Sequence, residues 1–263
     1  MAGGFVEVAD VSLTYGGAGG TLAVEGLSMT VEQGQFAAVV GPSGCGKSTL
    51  MKLTTGLVRP SQGTVHVDGK GVNGPVSIAG MAFQNPSLLP WRTTLNNVML
   101  PLEIVQPHRA RLSREREAYT QQAEDLLSLV GLKGFGEKFP WQLSGGMQQR
   151  SNLCRALIHD PKLLMLDEPF GALDAFTREE LWQVMRDLHQ QKRMTVILVT
   201  HDLREAVYLA DRIFVMSARP GKIIVTRDIE FPRPRPIDIT YTGEFNQIVH
   251  ELRSHIAQAR SVA

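Results

Sequence analysis

The run Gly41, Pro42, Ser43, Gly44, Cys45, Gly46, Lys47, Ser48 and Thr49 contains the pattern G-x-x-x-x-G-K-[ST], the strongest chemical signal in this chain. Glycines let a backbone wrap an anion with its N–H groups pointing inward, and a helix N-terminus adds favourable partial charge. In such a loop Lys47 reaches the terminal phosphates of a nucleotide and the Ser48 hydroxyl is a ligand for Mg²⁺. Cys45 occupies one of the variable positions. A second signal stands far downstream, where the apolar run Leu163 to Leu166 ends in Asp167 and Glu168. Two neighbouring carboxylates at the end of a buried strand suit phosphoryl transfer. One, Asp167, would hold the metal, and the other, Glu168, would orient the attacking water or accept its proton. Read alone, the pair also fits a solvated end of a strand. A third candidate is His201, which follows the apolar strand pattern Thr195 to Thr200 and would lie at the same edge as the acids if the sheet is parallel. His66, His108, His159, His189, His250 and His255 have no such placement and read as structural.

These groups need a scaffold, and the chain's patterning specifies one. Residues Val11, Leu13 and Tyr15, and again Leu27, Met29 and Val31, alternate with polar ones, which predicts half-buried strands separated by glycine-rich turns at Gly16 to Gly20 and at Gly34. Short continuous apolar runs at Phe36 to Val40, Leu163 to Leu166, Val196 to Val199 and Ile213 to Met216 predict parallel strands covered on both faces. Helical patterns lie between them, so the expected class is α/β with a mainly parallel sheet. The phosphate loop follows the FAAVV run and precedes a helical stretch beginning near Thr49, the context such a loop requires. Between Ser113 and Val130, residues Tyr119, Ala123, Leu126, Leu127 and Val130 recur at helical spacing, and a helical insertion over roughly residues 89 to 158 is expected. The segment FPRPRP at Phe231 to Pro236 reads as a break. After it, Phe245, Ile248, Val249, Leu252 and Ile256 describe one amphipathic helix in a C-terminal extension over 231–263.

Composition narrows the function classes. The 263 residues carry 27 Lys and Arg against 26 Asp and Glu, so no global field favours nucleic acid as a partner. Cys45 and Cys154 have no CxxC neighbour, which argues against a disulfide framework or a zinc site and suits a reducing cytoplasm. No stretch approaches the roughly 20 apolar residues needed to cross a bilayer. If the protein serves a membrane, it does so by docking to another chain.

Between the two nucleotide motifs stands LSGGMQQR, Leu143 to Arg150, and here the sequence resembles the ABC ATPase family, with Met147 in place of the commoner glutamine. Ser144, Gly145 and Gly146 open a predicted helix and so offer another anion site. The resemblance implies that this site meets the γ-phosphate of ATP held by an opposite subunit. Tyr15 matches the family's adenine-stacking aromatic, although it also suits an ordinary strand position. Gln84 matches the glutamine that senses the γ-phosphate and Mg²⁺. Gly171 to Asp174 matches the loop touching the opposite site, with Gly171 where serine is commoner, and His201 acquires a γ-phosphate contact. The matches run in order across about residues 5 to 220. They imply a P-loop NTPase core over 1–230, with an N-terminal antiparallel β subdomain and an inserted helical subdomain.

The resemblance further implies ATP and Mg²⁺ as ligands, a second copy or a similar ATPase subunit completing a nucleotide sandwich, and integral membrane permease subunits. It places the chain peripherally on the cytoplasmic side of the inner membrane. The segment Asn85 to Asn97, with Leu88, Leu89 and Trp91, is the candidate docking surface; those side chains would otherwise pack locally. The motifs FPWQLSGGMQQR and FGALDA, the ARPG turn at Ala218 to Gly221, FPRPRP and a single short terminal helix are similar to ATPases of nitrate, sulfonate and taurine importers, which work with a solute-binding protein. An exporter or lipid-transport ATPase would share the catalytic motifs. A non-transport relative acting on nucleic acid or ribosomes would carry tandem cassettes, a coiled-coil insertion or a basic face, and none of these is visible.

Overall fold

The computed structural model describes residues 3–16 and 19–261, so Gly17 and Ala18 of the first glycine-rich turn lie outside the described residues. In chain order the strands are β1 (Val6–Tyr15), β2 (Thr21–Val31), β3 (Phe36–Val40), β4 (Gln62–Val67), β5 (Lys70–Gly71), β6 (Ala79–Ala82), β7 (Leu163–Asp167), β8 (Thr195–Thr200), β9 (Arg212–Met216) and β10 (Ile223–Asp228). The α-helices are α1 (Lys47–Thr54), α2 (Thr94–Val98), α3 (His108–Arg111), α4 (Arg116–Leu129), α5 (Gly145–Leu157), α6 (Ala175–Lys192), α7 (Leu203–Leu209) and α8 (Gly243–Ser261). Two compact units are present, one comprising residues 1–76 with 185–263 and the other residues 77–184.

In the first unit the alternating N-terminal segments form an antiparallel sheet in the order β2-β1-β4-β5. The apolar runs behave as their lack of alternation requires. Every residue of β3 and β8 is buried, and β3 pairs in parallel with β8 on one side and β9 on the other, while β10 returns antiparallel along β9. The register sets Val40 of β3 beside Thr200 of β8. The terminal helix α8 buries Phe245 and Leu252 fully and Ile248 nearly so, the face its periodicity predicts.

The second unit contains the parallel pair β6–β7, with Ala82 beside Leu166, and between those strands the chain is helical. Helix α4 begins at Arg116, three residues later than the Ser113 expected from periodicity, and buries Tyr119, Ala123 and Leu127. Strand β6 and helix α5 meet backbone to backbone. A Cβ on Gly80 would lie 2.0 Å from the Ala156 carbonyl oxygen, so only glycine fits there.

Two buried histidines make stability depend on pH. In the first unit His189 donates from Nε2 to the Gly34 carbonyl at 2.9 Å and meets the Phe36 ring edge-on. In the second unit His159 is equally buried. Burial, the largest influence on each, pushes both pKa values below the ordinary histidine value. An unfolded chain therefore takes up protons first as pH falls, and stability is full above about pH 6.5 and is lost from there down toward the folded pKa values. The urea midpoint is expected to be lower at about pH 5.5 than at about pH 7.5, with a smaller drop in His189→Gln; equal midpoints would overturn this.

Candidate functional site

The phosphate loop leaves β3 one residue beyond the Val40–Thr200 pair, and His201 leaves β8 at the same point on the neighbouring strand. Both therefore emerge at the carboxyl edge of parallel strands, where α/β sheets present ligand-binding groups. Gly46 takes φ 107°, and a Cβ there would meet Val24 Cγ1 at 2.8 Å and the Ala23 carbonyl oxygen at 2.9 Å, so the turn into α1 demands glycine. At the loop's other end, a Cβ on Gly41 would fall 2.9 Å from the Met216 carbonyl oxygen. Helix α1 starts at Lys47, two residues earlier than expected, which brings its unpaired N–H groups fully into the loop.

Lys47 is only 7% exposed, and its ammonium donates to the carbonyls of Gly41 at 2.9 Å and Pro42 at 2.8 Å. The side chain thus lies folded along the loop, its charge held over the cradle. The thiol of Cys45 lies 3.8 Å from the same ammonium, and its pKa is raised by burial against the opposing pull of Lys47. Ser43, Gly44 and Ser48 face solvent. Tyr15, at the end of β1 and 37% exposed, places its hydroxyl 3.5 Å from Thr49 Oγ1, which brings the candidate adenine-stacking ring to the loop.

One contact here has no sequence signature. Arg219, in the ARPG turn, donates from Nε and Nη2 to the Gly44 carbonyl at 3.1 and 2.9 Å. A Cβ on Gly221 would lie 2.1 Å from the Cys45 carbonyl oxygen. The turn therefore buttresses the phosphate loop from outside.

In the second unit Gln84 and the carboxylates leave the paired ends of β6 and β7, and Gln84 Nε2 donates to Glu168 Oε2 at 3.0 Å. Asp167 is buried as the last residue of β7. Glu168 has φ 46°, a left-handed conformation that costs a non-glycine residue on the order of 1–2 kcal/mol. The backbone thus turns sharply between the two acids.

The Gln84 loop is fixed by α5, the helix that carries the signature sequence. The Phe83 carbonyl accepts from Gln149 Nε2 at 3.4 Å and Asn152 Nδ2 at 3.0 Å. The carbonyls of Pro86 and Ser87 accept from the Arg155 guanidinium at 2.5 and 3.1 Å. These three anchors were not singled out from the sequence. At the start of α5, Ser144 is the N-cap, its Oγ accepting from the Met147 N–H at 3.3 Å, and Ser144 and Gly145 are exposed while Gly146 is half-buried. Asp174 precedes α6 and accepts the Thr177 N–H at 3.0 Å, and that bond is the leading cause of its lowered pKa. Ser144 and Asp174 are both exposed, each accepting a backbone N–H at the start of its helix.

Of the candidate docking side chains only Trp91 stands clear, at 71% exposure. Leu88 and Leu89 are half-buried, and the Leu89 backbone is held at both N and O by the buried Asn97 side chain. Trp141, 66% exposed and stacked on Phe139, is a second large aromatic on this unit's surface. Among the described residues no group of three or more His, Cys, Asp and Glu side chains is placed to hold a metal ion, and no helix is long and apolar enough to cross a membrane.

Comparison with known proteins agrees with this chemistry. The family profile described as ABC transporter matches residues 24–171. The aliphatic sulfonates import ATP-binding protein SsuB of Bacillus licheniformis is 42% identical over 224 residues, 84% of each chain. The taurine import ATP-binding protein TauB of Yersinia pestis bv. Antiqua is 43% identical over 212 residues, 81% of this chain and 80% of the relative. Among solved structures, a dimeric post-hydrolysis state of an ATP-binding cassette bound to ADP and Pi aligns with a TM-score of 0.74 at 30% identity, covering 86% of this chain and 100% of that one.

Proposed function

Since this chain belongs to the ABC transporter family of ATP-binding proteins, we propose that it is the ATP-hydrolysing subunit of a bacterial importer for a small, anionic solute of the sulfonate, taurine or nitrate kind. The observation that carries hydrolysis is Glu168, held by Gln84 at the carboxyl end of β7. The relatives named for sulfonate and taurine import, matched over about four fifths of both chains, support the importer reading over an exporter.

The chemistry follows from the side chains. The loop from Gly41 to Thr49 offers backbone N–H groups and the α1 N-terminus to the phosphates, and Lys47 exchanges its two carbonyl partners for phosphate oxygens. Tyr15 stacks on the adenine. Ser48, Asp167 and Gln84 carry the hard oxygen donors that Mg²⁺ prefers and would be its ligands; the ion would neutralise charge developing on the phosphate oxygens. Glu168 accepts a proton from the attacking water, and the Gln84 amide keeps its carboxylate oriented. His201 supports the γ-phosphate from the strand edge it shares with the loop.

Ser144, Gly145, Gly146 and Asp174 serve the ATP of a second subunit, because one chain carries one phosphate loop and one signature. ATP then bridges the two copies, and hydrolysis removes the contact that favours the closed dimer. The chain sits peripherally at the cytoplasmic face of the inner membrane beneath permease subunits, with Trp91 in the docking surface and a solute-binding protein delivering cargo. The core spans 1–230, with the helical part at 89–158 and an extension at 231–263.

The test is to tag the chain, solubilise its native membranes gently and identify what purifies with it. A multi-span permease, accompanied by a solute-binding protein, is expected. Ribosomal or DNA-bound partners alone would overturn transport and leave the ATPase intact.

A further inference from the structure

The FPRPRP segment reads in sequence as a break between the core and the tail, yet its two arginines are deeply engaged within the first unit. Four successive carbonyls end helix α7, those of Val207, Tyr208, Leu209 and Ala210. Arg235 Nη1 donates to Val207, Tyr208 and Ala210 at 3.0, 2.9 and 2.8 Å, and Arg233 Nη2 donates to Leu209 at 2.6 Å. These are the carbonyls that the helix itself leaves without partners, at the negative end of its dipole. Arg235 also donates to the carbonyls of Ile229 and Phe231, and Arg233 pairs with Asp211 at 2.7 Å. Arg235 is 1% exposed; burial, reinforced by the neighbouring Arg233, lowers its pKa to about 10, which leaves it charged at neutral pH.

The tail grips α7 elsewhere too. Arg204 donates to the Thr240 carbonyl at 3.2 Å and lies over the rings of Tyr241 and Phe245 at 5.9 and 5.7 Å. Tyr208 Oη and Arg186 Nη1 both donate back to the Arg235 carbonyl.

A helix of seven residues is too short to hold its own place and takes its position from what it packs against. Its N-terminus is capped by Asp202, which accepts from the N–H groups of Arg204 and Glu205 and donates its own N–H to Thr200 Oγ1. His201 therefore lies between the last residue of a fully buried strand and Asp202, the N-cap of the helix. The strand fixes one side of it, and α7 fixes the other. Burying an arginine where an apolar side chain could fill space is costly. What the guanidinium supplies is a rigid planar fork that holds several carbonyls in one orientation.

We propose that Arg233 and Arg235 are positioning residues for His201, fixing α7 from its C-terminal end so that the imidazole is held at the edge shared with the phosphate loop. This rests on the reading of His201 given above. The test is steady-state ATP hydrolysis by the full chain as wild type, Arg235→Lys, His201→Ala and the double variant, with residual rates read from radiolabelled phosphate release. Arg235→Lys keeps the charge but loses the fork. Its kcat is expected to fall about 10-fold or more, as sub-ångström displacement of a reacting group can cause, with KM for ATP within about twofold of wild type. In the His201→Ala background the same substitution is expected to cost less than about twofold, because residues acting as one unit are not additive.

Normal kcat in Arg235→Lys, or the same fold loss in both backgrounds, would overturn the proposal. A wild-type kcat in His201→Ala would remove the role of the histidine itself; a slow His201→Ala beside a normal Arg235→Lys would remove the clamp alone. Thermal melts check folding. If Arg235→Lys does not fold, Arg204→Gln, on the half-buried side of α7, is carried through the same cycle with the same expectation.

Discussion

Glu168→Gln is expected to bind ATP as wild type does and to hydrolyse it about 10²- to 10⁴-fold more slowly, the usual contribution of a general base. The substitution keeps the volume of the side chain and its place at the end of β7, but a carboxamide cannot take the proton of the attacking water. Nothing in the phosphate loop changes, since Lys47 and its carbonyl partners belong to a different segment. Binding without turnover keeps the γ-phosphate in place, so the variant with ATP should elute in size exclusion as a dimer. A variant that remains monomeric under saturating ATP would count heavily against the sandwich arrangement, and one that hydrolyses ATP at the wild-type rate would remove Glu168 from the chemistry.

The second large effect falls on affinity. Lys47→Ala should weaken ATP binding about 10- to 150-fold, the equivalent of losing a charge-assisted hydrogen bond worth about 1.5–3 kcal/mol. The structure sharpens the reason. Lys47 is nearly buried and held by the Gly41 and Pro42 carbonyls, so its charge is already placed when the nucleotide arrives and little side-chain entropy is lost on binding. Removing it also strips two loop carbonyls of their donor. Calorimetric titration with ATP, on a variant whose thermal melt is intact, reads the effect directly. Unchanged affinity would mean that the loop does not hold the phosphates.

The sequence by itself determined those features that depend on local pattern. Continuous apolar runs marked β3, β7, β8 and β9 because a strand covered on both faces favours apolar side chains along its length. Helical spacing marked the buried faces of α4 and α8. The phosphate loop was legible because its glycines are demanded by backbone geometry and by the approach of Val24, Ala23 and Met216. Gln84 and Glu168 were legible as separate candidates.

What only the tertiary structure decided was how these parts are held. Arg219 on the Gly44 carbonyl, the α5 side chains on the carbonyls of Phe83, Pro86 and Ser87, and the arginines of FPRPRP on the end of α7 all use backbone oxygens as acceptors. Every residue carries the same carbonyl, so the sequence marks the donor but leaves no mark on its acceptor, here 25 to 28 positions away for Arg235 and 175 for Arg219. The half-burial of Leu88 and Leu89, for which the sequence left docking and local packing both open, has the same origin, because the Asn97 side chain that turns their segment inward also bonds to backbone. A chain's pattern specifies which elements form and which groups could react, while the carbonyls that orient those groups are chosen only when the elements meet.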